Sequence, residues 1–366
     1  MTISAISANT MLRPRAAVER MREYHPPLSG RDGLRLDFNE NTLAPSPRVA
    51  AALKNISAEG LTKYPERAPV ERTAAAHFGL DARSVLLTNG VDEAIHLLCE
   101  TYLGPRDEVI VVTPTFSMYA VYAEATGAAV RFVQSDTTLQ FPAERVMGAI
   151  GPRTRMIMIA SPNNPTGSIV EGDLLLRLAK DAPQAALLVD EAYYHFHGGS
   201  VLSATATVTN LFVARTFSKA YGLAGLRIGM LAGHPDAMRY VRKVSSPYNV
   251  NSVALACLPE ALADEAYLNW YAEEVRMARE GLESSLQQLR VPYWPSHANF
   301  VLMKIGPAHA ALVAAMHQRG ILVRDRSSDP GCDGCVRITV GTREHTQHGI
   351  VALQETLEEM QWQPEQ

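Results

Sequence analysis

Seven short apolar segments that alternate with helical stretches restrict this chain to few architectures. They lie at 85–89, 108–113, 130–134, 155–160, 186–190, 211–215 and 228–232. Each is continuously apolar and rich in β-branched residues, as expected of strands covered on both faces. The strand–helix rhythm predicts an α/β fold around a mainly parallel sheet of about seven strands. In open sheets of this kind ligands bind at the carboxyl edge. The residues that follow each strand are therefore where chemistry is sought.

With 366 residues, the chain has room for a second lobe. From about Pro259 the pattern changes. A long helix at 271–290 carries Val275, Ala278, Leu282, Leu286 and Leu289 on one face. A strand at 299–305, a helix at 309–319 closed by Gly320, strands at 321–324 and 336–340, and a helix at 344–360 follow. Gly320 stands where a left-handed helix end favours glycine. The expected division is an N-terminal arm at 1–35, a large domain at 63–258, and a smaller α/β domain built from 36–62 and 259–366.

A net charge of −4 supplies no basic footprint for nucleic acid, and no apolar run is long enough to span a bilayer. Residues 1–22 lack a basic start followed by an apolar run, so no secretory leader is expected. Arg13, Arg15, Arg20 and Arg22 hint at a transit peptide, but Glu19 and Glu23 argue against one. Four cysteines in a chain of this size fit a reducing cytoplasm. Cys332 and Cys335 have zinc-like or redox-like spacing, but no second pair or histidine cluster is near in sequence, so no metal is expected.

Four segments follow or end predicted strands. Thr88-Asn89-Gly90-Val91-Asp92-Glu93 turns through glycine into a helix whose free N–H groups favour phosphate. Ser161-Pro162-Asn163-Asn164-Pro165-Thr166-Gly167 is a turn rigid enough to hold an amide side chain. Asp190 ends a strand, where a carboxylate is costly unless it meets a cation such as a pyridinium nitrogen. Tyr193 follows it closely enough to serve the same ligand. Lys219 has Thr216 and Ser218 just before it and Arg227 after it. That setting suits a lysine that forms a Schiff base with an aldehyde cofactor carrying a phosphate. Taken singly, each segment also reads as an ordinary turn, cap or surface residue.

Together they resemble the class I/II aminotransferases of pyridoxal-phosphate fold type I, and among these the histidinol-phosphate aminotransferases. The resemblance runs from about residue 36 to 343. It also rests on Asn39-Glu40-Asn41, Lys63-Tyr64-Pro65-Glu66, Pro114-Thr115-Phe116-Ser117-Met118-Tyr119 and Val336-Arg337-Ile338-Thr339-Val340-Gly341-Thr342. The resemblance implies that Lys219 holds the aldehyde and shuttles a proton, that Asp190 keeps the pyridine nitrogen protonated, and that Asn164 and Tyr193 bond the ring hydroxyl. Thr216, Ser218, Arg227 and the Val91–Asp92 amides would hold the cofactor phosphate, and Phe116 would stack on the ring. Tyr64 would reach the phosphate of a neighbouring subunit, which implies a homodimer.

Substrate choice turns on Arg324 and Arg337. Strand alternation puts Val336, Ile338 and Val340 on one face and Arg337 on the other. Two converging guanidiniums can grip a phosphate dianion. The family implies that role for both arginines, with Asn39 and Tyr24 also at the substrate side, although the residues around both of these depart from the usual pattern. The expected reaction moves an amino group between L-histidinol phosphate and 2-oxoglutarate, in histidine biosynthesis. An arginine also serves a carboxylate, so transamination of phenylalanine or tyrosine stays open, as does decarboxylation of a phosphorylated amino acid. Pairing of Arg324 with Asp325 or Asp329 is the plain alternative to a substrate role.

Overall fold

Strand formation follows from alternation of apolar side chains between two covered faces. The computed structural model describes residues 12–23, 25 and 30–364. Its strands are β1 (Leu34–Arg35), β2 (Val85–Thr88), β3 (Glu108–Thr113), β4 (Ala129–Gln134), β5 (Thr154–Ala160), β6 (Ala186–Asp190), β7 (Leu211–Thr216), β8 (Gly229–Gly233), β9 (Tyr293–Trp294), β10 (Phe300–Lys304), β11 (Ile321–Leu322), β12 (Arg324–Asp325) and β13 (Cys335–Thr339). Seven of these form one sheet in the order β2-β8-β7-β6-β5-β3-β4. All neighbours pair in parallel except β8, which runs antiparallel to both β2 and β7.

Two apolar layers cover this sheet. Leu87, Leu187, Val189 and Val213 pack into one cluster, whereas Leu86, Leu188, Phe212 and Ala214 pack into the other. The period of two sends successive residues of one strand to opposite layers. Strand β4 departs from the expectation of burial on both faces. It is one of the two edge strands, and Phe132 on it is 54% exposed.

A second sheet, β12-β13-β10-β9, is antiparallel throughout. Helices Glu265–Gln288, His309–Gln318 and Arg343–Glu359 accompany it. Residue 259 is not an element boundary: Pro259 lies inside the helix Ser252–Ala263. A proline there lacks one backbone donor, yet this helix buries Leu255, Leu258 and Leu262 and continues past it. Nor is all of the described part of 1–35 a loose arm. Strand β1 pairs in parallel with β11, and Leu36 donates its N–H to Leu322 O at 2.9 Å. Two residues are too few to show a period, which is why pattern alone does not reveal β1.

The edge that matters is where β2, β3, β5, β6 and β7 end and β8 begins. The loop between β7 and β8 holds both Lys219 and Arg227, so the strand reversal brings lysine and arginine to one edge. Gly229 allows the chains to approach there. A Cβ on it would lie 2.9 Å from Gly90 C and 3.0 Å from Val91 N. No helix among the described residues is long and apolar enough to cross a membrane.

Candidate functional site

One cavity of about 420 Å³ lies between the carboxyl edge of the large sheet and the face of β12–β13. It gathers residues from all four strand-end segments, together with Asn39, Phe116, Arg324 and Arg337. Tyr64 is not among its walls. It is 79% exposed and stacks on Tyr248 at 4.4 Å. Tyr24 lies outside the described residues.

Asp190, the last residue of β6, is buried. Its Oδ2 accepts from the Tyr119 hydroxyl at 2.8 Å and its Oδ1 from Ala192 N at 3.0 Å. Among the described residues it forms no ion pair. Burial raises its pKa to about 6, against the lowering effect of these two hydrogen bonds. The neighbouring Glu191 differs: Arg215 Nη2 meets it at 2.8 Å, and Ser200 and Val201 N also donate to it. Of two adjacent buried carboxylates, one has its cation and the other faces the cavity without one.

Lys219 donates from Nζ to Phe38 O at 2.8 Å. Burial, followed by the nearby Arg337 charge, brings its pKa down to about 8. Loss of water disfavours the ammonium form, so a usable fraction is the free amine near neutral pH.

Around the start of helix Gly90–Tyr102, Arg227 Nη2 donates to Asp92 Oδ2 at 3.0 Å. Gly90 has φ +76°, and a Cβ there would lie 2.6 Å from Arg227 Nη2. Val91, Asp92, Thr216, Ser218 and Arg227 all line this end of the cavity. Amide, hydroxyl and guanidinium donors at a helix N-terminus form an anion cradle. In the 161–167 turn the two asparagines have separate tasks. Asn163 braces the loop, giving Nδ2 to Pro114 O and Thr166 Oγ1, each at 2.9 Å. Asn164 faces the cavity and accepts from Arg337 Nη1. The Tyr193 hydroxyl accepts from Asn39 Nδ2 at 2.9 Å.

At the other end, Arg337 is buried and donates to Asn164 Oδ1 and Asp37 O, with no carboxylate partner among the described residues. Arg324 sits opposite it in the β12–β13 register. Its expected alternative partners are taken: Asp325 by His309 Nδ1 at 3.0 Å, Asp329 by Arg326. Arg324 instead lies over the Phe38 ring at 5.1 Å, a ring that also carries Arg31 at 4.3 Å.

Sequence reading did not single out Tyr119, Arg326 or Arg31. Tyr119 lies within the Pro114–Tyr119 motif but shows no sign of contacting Asp190, 71 positions away. Arg326 was detectable, because it follows Arg324 by one strand period. Arg31 is held by Asp37 at 2.8 Å and Glu40 at 2.7 Å, contacts that depend on how the segment folds back. Cys332 and Cys335 are free, buried thiols, and no group of three or more metal-binding side chains occurs among the described residues.

Comparison with known proteins places this geometry. A histidinol-phosphate aminotransferase of Moorella thermoacetica is 34% identical over 94% of this chain and 91% of its own. One from Symbiobacterium thermophilum is 36% identical over 94% and 99%. The structure of histidinol-phosphate aminotransferase from Sinorhizobium meliloti in complex with pyridoxal-5'-phosphate superposes with a TM-score of 0.86, at 22% identity, over 97% of this chain and all of that one. That likeness speaks to the fold, which is the fold type I arrangement. Residues 31–353 match the profile of the family described as Aminotransferase class I and II. On that match and on relatives above 30% identity across nearly its whole length, the chain belongs to the class I and II aminotransferases.

Proposed function

We propose that this aminotransferase moves an amino group between L-histidinol phosphate and 2-oxoglutarate, with pyridoxal phosphate as its cofactor. The observation that carries the reading is a single cavity that joins a half-buried lysine amine and a buried carboxylate without a cation to two guanidiniums without carboxylate partners.

The residues present fit the cofactor. Asp190 is a buried acceptor lacking a cation, and the donors around Gly90 form a cradle that a side chain at that position would fill. Bound there, pyridoxal phosphate supplies an aldehyde carbon for the amino group and a ring that withdraws electrons from the substrate Cα. Asp190 would hold a proton on the ring nitrogen, since an ionised carboxylate in a dry site stabilises the cation it touches. Asn164 and Tyr193 would hold the ring hydroxyl. Val91, Asp92, Thr216, Ser218 and Arg227 would hold the phosphate, and Phe116 would cover a ring face. Lys219 Nζ would take the proton from the substrate Cα and return it, work suited to an amine whose pKa of about 8 leaves it partly neutral.

Arg324 and Arg337 would bind the substrate phosphate, with Asn39 beside them. We also read the large sheet as the cofactor-binding domain, with 36–62 and the region after about 259 as the smaller one. Tyr64 fits a role across a homodimer interface, because it and Tyr248 form an exposed aromatic pair. The free cysteines suit a cytoplasmic enzyme.

Absorbance of the purified holoenzyme tests the reading. L-histidinol phosphate is expected to discharge the cofactor band, and 2-oxoglutarate to restore it. Much faster turnover of phenylalanine or tyrosine would make the protein an aromatic aminotransferase instead. Carbon dioxide release without any oxo acid would make it a decarboxylase.

A further inference from the structure

Beside Arg324 and Arg337, the cavity wall holds a third guanidinium, Arg326. Arg324 and Arg326 are two residues apart in an extended segment, so their side chains leave one face. The pairing continues past β12, because Arg326 N donates to Cys335 O at 2.9 Å. On β13, Arg337 stands opposite Arg324. Three guanidiniums thus line one wall, where like charges repel unless an anion lies among them.

The carboxylates nearby cancel only part of this charge. Asp37 and Glu40 are engaged by Arg31, and Asp325 by His309. Asp329 pairs with Arg326 through Nη2. Arg326 Nε is buried and has no hydrogen-bond partner. Such an N–H is costly to leave unpaired, so the contact with Asp329 satisfies only part of the guanidinium. Burial and then the Arg326 charge hold the Arg337 pKa down to about 9, the direction expected where cations outnumber anions. With Arg31 included, four guanidiniums stand against Asp37, Glu40 and Asp329, so positive charge remains in excess. A phosphate, with three terminal oxygens, can accept from several guanidiniums at once, whereas a carboxylate offers only two.

We infer that Arg326 is a third donor of this subsite and makes it selective for a phosphate dianion over a neutral or singly charged group. Asp329 anchors the guanidinium through Nη2 and holds it at the cavity wall. The inference rests on the proposed reading of the cavity as a phosphate-binding site, and it adds a residue that follows from strand period and an orphaned donor.

The test uses holoenzyme as wild type, Arg326→Gln and Arg326→Lys. It compares kcat/KM for L-histidinol phosphate with that for unphosphorylated L-histidinol, and measures competitive inhibition by inorganic phosphate. Arg326→Gln is expected to lower the preference for the phosphorylated substrate about ten- to a hundredfold, the loss of a charge-assisted hydrogen bond. The change should fall mainly in KM, and phosphate inhibition should weaken in parallel. Arg326→Lys, which keeps the charge but loses the fork, should fall between the two. If wild type shows no preference for the phosphorylated substrate, the phosphate reading itself fails. If wild type discriminates and Arg326→Gln does so equally, the role of Arg326 is overturned while that reading stands. Should Arg326→Gln not fold, Arg326→Lys decides: full wild-type preference overturns the inference, and partial loss supports it.

Discussion

The two ends of the cavity are built on different plans. At the carboxyl edge of the large sheet, single residues stand at fixed backbone positions: Asp190 closes β6 and Lys219 follows β7 by three residues. At the β12–β13 end, charge is spread over several arginines and an aromatic ring. A reacting group must sit at one place, because proton transfer tolerates little displacement. A bound anion can share its contacts. Loss of one residue should therefore abolish function at the first end and grade it at the second.

The sharpest way to break this contrast is Lys219→Ala. It is expected to lower kcat by at least about a hundred- to ten-thousandfold, the worth of one acid–base group. Substantial retained turnover would remove the distinction between the ends. Next in size is Arg337→Ala. It should raise KM for L-histidinol phosphate by about ten- to a hundredfold and, by leaving Asn164 Oδ1 and Asp37 O short of a donor, cost about 1–3 kcal/mol of stability. Kinetics and urea denaturation would read the two effects separately, and an unchanged KM would show that the buried arginine is only structural.

Arg324→Ala should act more mildly, weakening L-histidinol phosphate about tenfold and glutamate less, since Arg324 is less buried than Arg337. Equal losses for both ligands would contradict a phosphate role. The smallest effects concern Asp190. Its pKa of about 6 means that the carboxyl is neutral below that pH and ionised above it. Because the ionised form pairs with a ring cation, cofactor affinity should weaken by up to about tenfold for each pH unit below 6. Asp190→Asn should abolish that dependence. Tyr119→Phe removes a hydrogen bond that favours the ionised form, so the transition should move to higher pH, with cofactor binding weakened by up to about tenfold. Equilibrium titration of the cofactor at several pH values checks both, and an unmoved transition in Tyr119→Phe would leave Asp190 without the brace the geometry assigns to it.

Much of the large domain was legible because the signal was local. Observed β3 and β6 coincide with the expected segments, and the other large-sheet strands differ by a residue or so at their ends. The positions of Asp190 and Lys219 were legible for the same reason, because each is fixed by the run before it. Strand β1 escaped notice because two residues carry no period. Pro259 lies inside a helix rather than at its end, because packing of the surrounding helix outweighs one lost bond.

By itself the amino-acid order determined the strands, their carboxyl edge and which side chains stand there, since each depends on periodicity over a few neighbours. Tertiary structure decided which charges are spoken for. Glu191 takes Arg215 while adjacent Asp190 takes only Tyr119 and a backbone amide. Asp325 turns to His309, and Asp329 to Arg326, leaving Arg324 open to the cavity. Such pairings are settled at hydrogen-bond distance between segments far apart in the chain, where strand periodicity carries no information.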